Sequence, residues 1–570
     1  MPSRRQRQMC IRDRYGVGGL FGGGENQDRH STDFLNEREN FFHKPLVNLN
    51  HYLTLNDNMR LSSVLYWSGG SGGGTGTYGS VSRKPAVEGN NWWASSPWQW
   101  DWDAEIAQNS SNIDSAYSTT ENRSTGILRN SINRQNTYGL ISKLNYDLSD
   151  ALKLQLGLDW RTAGIEHARE VRDLLGGDYY VDFADDGYDP DGDGNSDPKI
   201  VRLGDKIAYS NVTTVDWLGF FGQASYSAGA LSAYGMAGWS QIAYTYQDSF
   251  TVAQTVVDHG DPITATQLKA GAMYDLSDDL SLFANFGLVE KPPILDNVIY
   301  YDGTVASDPA NEQFSSLEAG LNYRTGDLAV KTNYYVTNWM DRNLTKSVTT
   351  GQGSSGDSDI IFLTGVDQKH SGLEVEASYQ LMDMVRLDAS AGFGDWTFVS
   401  DATGEYQEAE FDSVGNVTGQ TSTTYDYALK GLYVGDMPQT GYALGLTLTP
   451  LSGLSVQALL NAYDNNYADW SPDAREYSGD DSEADRAQVY MAPSYSKLNL
   501  HINYDLPFDL AGTKVSTFLH VFNALDAIYV QDATDNSQYN SWGGTEHDAD
   551  NAEVFLGTPR YFNLGLTVRF

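Results

Sequence analysis

The 570-residue chain is strongly acidic, with 37 basic against 75 acidic residues and a formal net charge of -38. This charge argues against a nucleic-acid partner, because phosphates need a basic surface. The chain is 40% hydrophobic, and no apolar run reaches the roughly 18 residues that a membrane-spanning helix needs. Aromatic residues make up 12% of the chain, including 36 Tyr, which is typical of β-barrels with aromatic girdles. Cys10 is the only cysteine, so no intrachain disulfide can form.

The first 14 residues, MPSRRQRQMCIRDR, contain five Arg and one Asp. They lack the apolar segment and the small-residue cleavage site of a secretory signal. We interpret residues 1–14 as a segment foreign to the fold. The alternative is a basic arm.

Period-two alternation is the clearest pattern in the chain. ALKLQLGLDW (151–160), SKLNLHINYDL (496–506) and the closing RYFNLGLTVRF (560–570) each place apolar residues at every second position. Strict alternation predicts strands with one apolar and one polar face. On Leu152, Leu154, Leu156 and Leu158 we expect the apolar face to meet lipid, because Lys153 and Gln155 on the other face are costly to place in hydrocarbon.

Short polar turns join these strands in pairs, and long segments make the other connections. The predicted turns are 56–58, 147–150, 227–230, 276–279, 324–327, 381–384, 450–453 and 509–512. The predicted long connections are about 70–135, 168–208, 247–262, 290–312, 343–368, 400–436, 468–492 and 526–556. Short turns at one end and long loops at the other are typical of an outer-membrane barrel. The sequence therefore predicts an all-β, transmembrane antiparallel β-barrel with short periplasmic turns and long extracellular loops.

Counting the alternating runs gives about 17 strands, which is odd, whereas complete barrels of this type have an even number. If the last strand ends in the periplasm, the first strand, at about 45–55, runs inward from the outer surface. We therefore expect residues 15–43 to be part of a truncated extracellular loop and residues 44–570 to form the barrel domain.

Several stretches together resemble the TonB-dependent outer-membrane receptors. They are FFHKPLVNLNHYLTL (41–55), HAREVRDLLGGDYYVDF (167–183), EKPPILDNV (290–298), LEAGLNYRTGDLAVKTNYYVTNWMDRNL (317–344), KHSGLEVEASYQL (369–381), NAYDNNYADWSP (461–472) and LHVFNALDAIYV (519–530). The terminal Phe570 fits the insertion signal of such barrels. The resemblance covers about residues 40–570.

The resemblance implies a 22-stranded barrel, of which these would be strands 6–22, in the outer membrane of a Gram-negative-type cell. It also implies contact with outer-membrane lipid and a function in energy-coupled import of a scarce nutrient, such as a siderophore, a glycan or a peptide. Family members engage an inner-membrane energy-coupling complex through a plug and a short box, and we expect both to be missing from this sequence. The alternative is a non-transporting surface barrel, either an adhesin or a structural protein. No catalytic set is visible, so we do not expect an enzyme.

DPDGDGNSDP (189–198) is the sharpest local motif. Oxygen ligands at alternate positions with Gly194 at the bend resemble the first nine positions of a Ca²⁺-binding loop. Position twelve is Ile200, so the usual bidentate Glu is missing. A solvated acidic loop tip is the alternative. The candidate calcium ligands are Asp189, Asp191, Asp193, Asn195 and Asp197.

NWWASSPWQWDWDAEI (91–106) contains five tryptophans and three carboxylates within the first long loop. Exposed indoles stack on flat ligands, and they also pack loops together. The candidate ligand-binding residues are Trp92, Trp93, Trp98, Trp100 and Trp102. Two further features are less informative about function. GGSGGGTG (69–76) is interpreted as a flexible loop, and His520 is expected to face the barrel interior.

Overall fold

A computed structural model of the chain describes most residues from 37 onward. The described ranges are 37–82, 100–185, 187–192, 196–250, 256–299, 305–306, 309–349, 358–411, 417–477, 482, 484–507, 512–536 and 546–569. Most of these residues lie in strands. Within those ranges, no helix combines the length and the apolar character needed to cross a membrane.

The first half of the chain forms thirteen strands, of which nine are long and four have four residues or fewer. They are β1 (Asn40–His43), β2 (Leu46–Asn56), β3 (Met59–Gly79), β4 (Gly126–Asp147), β5 (Leu152–Asp173), β6 (Tyr180–Asp182), β7 (Lys199–Val201), β8 (Lys206–Ala228), β9 (Leu231–Asp248), β10 (Val256–Asp258), β11 (Ile263–Asp275), β12 (Leu280–Lys291) and β13 (Glu312–Arg324).

The second half forms fourteen more strands. They are β14 (Leu328–Thr349), β15 (Ser358–Met382), β16 (Val385–Phe398), β17 (Ala402–Phe411), β18 (Val417–Tyr427), β19 (Pro438–Leu451), β20 (Leu454–Tyr467), β21 (Glu476–Tyr477), β22 (Met491–Ala492), β23 (Tyr495–Asp505), β24 (Lys514–Phe522), β25 (Val530–Thr534), β26 (Glu553–Leu556) and β27 (Tyr561–Arg569). A single α-helix is seen in the described part, α1 (Trp102–Asn109), together with 3-10 turns at Leu295–Asn297 and Pro472–Ala474.

One antiparallel sheet of 23 strands contains all the long strands. Three of its members, β17, β18 and β21, form a side extension, and β1, β10 and β22 continue the neighbouring β2, β11 and β23. The wall of the sheet therefore has 17 successive strands in the described residues, in agreement with the number predicted from sequence. Among those residues, β2 pairs only with β3 and β27 only with β24.

Seven of the eight predicted short turns are confirmed. Each of these links two paired strands, as at 148–151 between β4 and β5, at 229–230 between β8 and β9, and at 383–384 between β15 and β16. The eighth, predicted at 509–512, lies mostly outside the described residues. The confirmed turns join the same ends of the strands, which we call the turn end. The long connections lie at the opposite end, which we call the loop end.

The predicted long connections are too long at several places, because the strands extend further than the alternation showed. The connection placed at about 70–135 is limited to 80–125, since β3 and β4 stay paired from Met59–Tyr146 to Gly79–Gly126. The glycine-rich stretch 69–76 is therefore strand, and its interpretation as a flexible loop was wrong. A Cβ at Gly73 would lie 2.2 Å from the backbone oxygen of Ser131, so glycine allows the strands to pair closely here.

Of the N-terminal residues 1–43 that we interpreted from the sequence, only residues 37–43 are described. Residues 40–43 form β1, which pairs with β3 from Asn40–Gly74 to His43–Ser71. Residues 1–36 lie outside the described residues, so the interpretation of residues 1–14 and of most of 15–43 stays a prediction.

The register gives the sheet two continuous faces. On one face Leu144 lies opposite Leu156, and Leu158 lies opposite Phe220. We call this the apolar face. On the other, the polar face, the Gln155 amide donates to Asn145 Oδ1 at 2.8 Å, and Lys153 lies 4.0 Å from Asp147. Side chains two residues apart share a face, so a leucine series on one strand is continued by its neighbours.

Three connections at the loop end pack together into a layer, formed by 399–437, 468–494 and 523–560, which we call the loop layer. Its core contains Trp470, Leu429 and Val489, packed against Ile361 and Phe398 from the adjoining strands. Trp470 is 2% exposed, so these connections have an apolar core of their own. Buried apolar area of this kind stabilises a fixed loop arrangement.

Candidate functional site

Three arginines converge on the polar face near the loop end, and we call Arg38, Arg129 and Arg169 the arginine cluster. Positions two apart along β4 and β5 share a face, so Arg129 lies on the face of Lys143 and Arg169 on that of Lys153. A Cβ at Gly76 would lie 3.0 Å from Arg129 Nη2 and 3.3 Å from Arg38 Nη1. Two guanidinium groups therefore meet over a glycine that leaves room for both.

The arginine cluster is partly paired within the protein, since Arg38 Nε donates to Glu37 Oε1 at 3.1 Å. Arg129 Nη1 donates to Gly74 O at 3.1 Å and to Ser131 Oγ at 2.9 Å. The Arg169 guanidinium lies over two rings, Tyr78 at 5.4 Å and Tyr209 at 5.1 Å. In the described part of the chain, the Nε atoms of Arg129 and Arg169 are buried without a hydrogen-bond partner. Such a group is suited to planar anions, because guanidinium matches carboxylate and phosphate geometry.

Two of the five candidate tryptophans are described, and both lie where the first long connection packs on the sheet. Trp100 Nε1 donates to Glu37 Oε2 at 2.8 Å, and the rings of Trp100 and Trp102 are 6.0 Å apart. Trp102 opens helix α1, which Asp101 caps by accepting the Ala104 N–H at 3.2 Å. These are packing contacts, and a ligand-binding role for the indoles stays a prediction. Trp92, Trp93 and Trp98 lie outside the described residues.

Helix α1 is fixed to the sheet by two buried polar side chains. Glu105 is fully buried, and its carboxylate accepts the Ser82 N–H at 2.7 Å. Asn109 is also fully buried and donates to Gly126 O at 3.0 Å. Buried polar groups of this kind must be paired, because an unpaired one costs about 1–3 kcal/mol. The helix therefore holds the Trp100 region against the start of β4.

The acidic loop brings three of its predicted ligands together. Carboxylate oxygens of Asp189, Asp191 and Asp197 all lie within 4.8 Å of one another. Asp193 and Asn195 lie outside the described residues. Oxygens at such separations can bind one Ca²⁺, whose bonds to oxygen are about 2.3–2.6 Å long.

A short hairpin and a tight turn shape this acidic loop. Strands β6 and β7 pair from Tyr180–Val201 to Asp182–Lys199 and close the base of the loop. Gly192 has φ of 74°, and its N–H donates to Asp189 Oδ1 at 2.7 Å. Glycine adopts this left-handed backbone without strain, so the turn forms with Asp189 hydrogen-bonded to its backbone.

A buried charge network joins two connections of the loop layer. Arg475 and Asp535 are both fully buried and 3.2 Å apart. His547 lies between two carboxylates, with Nδ1 at 2.6 Å from Asp535 Oδ2 and Nε2 at 2.9 Å from Asp485 Oδ2. His547 Nδ1 also lies 3.1 Å from Arg475 Nη2, so the imidazole contacts both members of the buried ion pair.

A second ion pair joins the third connection of the loop layer to the same network. Arg486 donates to both oxygens of Asp401, at 2.9 and 2.7 Å. These hydrogen bonds are the largest cause that lowers the pKa of Asp401 to about 2, and the backbone N–H groups of Lys430 and Leu429 add to the effect. Charged contacts therefore join all three connections, and the apolar core joins two of them, 399–437 and 468–494.

Sequence reasoning did not find the arginine cluster or this charge network. The stretch GILRNSINR (126–134) does not alternate strictly, because Asn130 and Arg134 have the parity of Leu128 and Ile132, so it gave no clear signal for the face of Arg129. No signal exists for Arg475, Asp535 and His547 either, because they come from separate connections that meet only in the folded layer.

The long antiparallel strands, the short turns at one end and the long packed connections at the other define a transmembrane β-barrel of the outer-membrane type. The sequence profile of the family described as TonB dependent receptor-like, beta-barrel matches residues 15–524. The chain belongs to this family, whose members are transport receptors. No curated protein sequence matches the chain.

Solved structures with this fold include several outer-membrane transporters. The chain is similar to the unliganded ferric citrate transporter FecA, with 12% identity over 94% of this chain and 62% of that chain, and a TM-score of 0.53. It is also similar to the copper transporter OprC, with 16% identity over 94% of this chain and 66% of that chain, and a TM-score of 0.56. A third similar structure is the ferric yersiniabactin uptake receptor FyuA from Yersinia pestis, with 13% identity over 93% of this chain and 61% of that chain, and a TM-score of 0.51. At these identities the likeness shows the shared fold, and this chain spans less than two thirds of FecA.

Proposed function

We propose that the chain forms the barrel wall and outer loops of an outer-membrane receptor that imports a scarce nutrient. The nutrient classes consistent with the family are a siderophore, a glycan or a peptide. Import would draw energy from an inner-membrane complex, as the TonB-dependent receptor family does. The loop end would face the cell exterior and the turn end the periplasm, with the apolar face in outer-membrane lipid.

We infer the chemical class of the ligand from the arginine cluster. The chain has a net charge of -38, which repels anions in general. Arg38 and Arg129 nevertheless converge over Gly76, on the polar face near the loop end. Partly desolvated guanidinium groups bind anions more strongly than exposed ones do, because the local dielectric constant is lower. We therefore propose an anionic nutrient, such as a ferric complex with carboxylate ligands or a peptide carboxylate.

Binding of ferric citrate to the full chain in detergent tests this ligand class. The chain has 13 Trp, so tryptophan fluorescence reports binding without a label. We expect the double variant Arg129→Gln and Arg169→Gln to weaken binding by at least about tenfold, which corresponds to about 1.4 kcal/mol. Arg60→Gln is the matched control, because Arg60 lies at the turn end and pairs with Asp147 at 3.0 Å.

The titration also has to distinguish an anionic ligand from other classes of ligand. A neutral oligosaccharide and a zwitterionic tripeptide serve as comparison probes in the same titration. Tighter binding of either one than of ferric citrate, unchanged in the double variant, would remove the arginine cluster from the ligand site. Membership of the TonB-dependent receptor family would then be the remaining support for a receptor function.

The alternative is a surface barrel that does not transport. Cells that express the protein from its intact locus distinguish the two, because uptake through an energy-coupled receptor stops when an uncoupler collapses the proton gradient. Uptake of the bound probe that is abolished by the uncoupler supports the importer. Cell-surface binding without uptake, in cells with a functional coupling complex, supports the adhesin or structural protein.

We further infer that the acidic loop binds Ca²⁺. The support is the convergence of Asp189, Asp191 and Asp197 and the density of charge around them. Eight Asp and no Lys or Arg lie between residues 178 and 197. A divalent cation offsets the repulsion in such a loop, and hard oxygen ligands favour Ca²⁺.

A further inference from the structure

Two histidines face each other across neighbouring strands of the wall. His501 on β23 lies directly opposite His520 on β24, and their Nδ1 atoms are 3.0 Å apart. The two rings are 4.8 Å apart between centroids and inclined at 65°. Both side chains are half-buried. Neither the import function nor the loop layer uses this pair.

Both rings lie on the polar face, and His520 is three residues before the start of the loop layer at residue 523. Leu500 and Ile502 flank His501 in sequence and belong to the opposite, apolar face. The pair continues sideways into a polar row, because Gln457 lies opposite His501 and Asn563 opposite His520. The row therefore faces the barrel interior, where solvent and solutes have access.

We propose that His501 and His520 form a binding site for a divalent transition-metal ion, best suited to Cu²⁺. Bonds from imidazole nitrogen to such metals are about 2.0–2.1 Å long. Two nitrogens 3.0 Å apart can then bind one ion with an N–metal–N angle of about 95°. Cis positions near a right angle suit the square-planar or tetragonal geometry of Cu²⁺ or Ni²⁺, and Cu²⁺ binds more tightly in the usual affinity order.

Aromatic neighbours hold the two imidazoles in this position. The Phe518 ring is stacked on His520 with centroids 4.7 Å apart, and the edge of Phe522 meets His501 at 5.5 Å. Phe522 is in turn stacked on Tyr561 at 4.6 Å. Rings fixed in this way lose little conformational freedom on binding, so preorganisation favours the metal complex.

In the absence of metal, the same geometry is a hydrogen bond between two imidazoles. Two protonated rings would both be donors and would repel each other, so at least one Nδ1 offers a lone pair to the other. Metal binding needs lone pairs on both Nδ1 atoms. The donor ring therefore moves its proton from Nδ1 to Nε2, which neutral histidine does by changing tautomer. The remaining metal positions are open to water or to a solute in the interior.

Titration of the full chain in detergent with Cu²⁺ tests the site, followed by electron paramagnetic resonance. We expect hyperfine splitting from two imidazole nitrogens at one equivalent of Cu²⁺. His501→Gln and His520→Gln should each weaken binding by at least about tenfold. His167→Gln is the matched control, because His167 is an exposed histidine on the polar face of β5, and this variant should bind Cu²⁺ as tightly as the unmodified chain does.

A second measurement on the unmodified chain guards against variants that misfold. Diethyl pyrocarbonate modifies accessible histidines, and mass spectrometry assigns each modified residue. Bound Cu²⁺ should protect His501 and His520 and leave the exposed His167 reactive. Equal modification of the pair with and without Cu²⁺, or a copper signal that survives in the double variant His501→Gln and His520→Gln, would show a hydrogen-bonded pair without a metal site.

Discussion

Arg475 and Asp535 form an ion pair at 3.2 Å in which both side chains are fully buried. They are 60 positions apart in the sequence and belong to two different connections of the loop layer. Asp535 Oδ1 also accepts the Tyr490 N–H at 3.1 Å, and Arg475 Nη1 donates to Ala487 O at 2.8 Å. The pair thus replaces the solvation of both charges with protein partners, and it fixes the relative position of two connections.

Arg475→Met should destabilise the loop layer by about 3–5 kcal/mol, because it removes the guanidinium partner of a fully buried carboxylate and leaves Asp535 only its contacts with His547 and the Tyr490 N–H. Native-state hydrogen exchange of the Tyr490 amide, which donates to Asp535, measures the effect. Arg560→Gln is the control, since Arg560 and Asp526 are 4.0 Å apart and about half exposed. Such a surface pair is worth less than about 1 kcal/mol. Equal effects of the two variants would contradict the structural role of the buried pair.

Acid should open the connection 399–437 between about pH 4 and pH 2. The pKa of Asp401 is lowered from 3.8 to about 2, mainly by the hydrogen bonds from Arg486. A lowered folded-state pKa contributes stability that is present above the unfolded value and is lost as the pH falls through the folded value. Pepsin is active in this range, so its cleavage rate within 399–437, normalised to an unstructured substrate, measures opening.

Asp401→Asn supplies the comparison for this titration. The variant lacks the ionisable group, so we expect faster cleavage than in the unmodified chain at pH 4 and a smaller increase towards pH 2. Asp485 remains in both proteins, so its titration contributes equally to both. A cleavage rate with the same pH dependence in the two proteins would show that the Asp401–Arg486 pair does not control this connection.

The turns and the wall were predictable from sequence because their signals are local. Alternation over five or more residues fixes which face Leu156 and Lys153 take, and a short polar turn fixes the pairing of two strands. The upper parts of β3 and β4 were missed, since Gly72 and Gly73 carry no side chains from which alternation could be read. Close packing replaces alternation there, and packing is not visible in one sequence.

The candidate sites divide in the same way. Asp189, Asp191 and Asp197 are near in sequence, so their approach in space followed from the motif. Arg129 and Arg38 meet only because β1 and β4 both pair with β3, and Arg475 meets Asp535 only because two connections fold together. Contacts of that kind depend on topology and register, which no local pattern specifies.

The orientation of the wall gives a prediction that separates its two faces. With Cys10 replaced by Ser, Leu156→Cys should react with a lipid-soluble maleimide and Gln155→Cys with a charged, water-soluble one. The reason is that Leu156 shares a face with Leu144, whereas Gln155 is hydrogen-bonded to Asn145 on the other face. Preferential reaction of position 155 with the lipid-soluble reagent would reverse the assignment of the faces.

A lysine at position 156 and a lysine at position 155 should differ in how much they destabilise the protein. Leu156→Lys should cost about 2–4 kcal/mol in a bilayer if position 156 is near the midplane, because it places a charge in hydrocarbon. Gln155→Lys should cost little, since its neighbour Lys153 is already exposed on that face. Reversible unfolding in lipid vesicles, followed by tryptophan fluorescence, compares the two.

Calcium should protect the acidic loop from protease. Chymotrypsin cleaves after aromatic residues, and Phe183, which is 61% exposed, and Tyr188 lie within this loop. Sites with this ligand type outside the cell bind Ca²⁺ with dissociation constants of about 10⁻⁴–10⁻³ M, so about 5 mM Ca²⁺ should saturate the loop. We expect slower cleavage at these two residues with Ca²⁺ than with chelator, because bound metal holds Asp189, Asp191 and Asp197 together.

Asp191→Ala should remove the protection, while Asp278→Ala, in the turn at 276–279, should keep it. Cleavage at the same rate with Ca²⁺ and with chelator in the unmodified chain would leave a solvated acidic loop as the explanation.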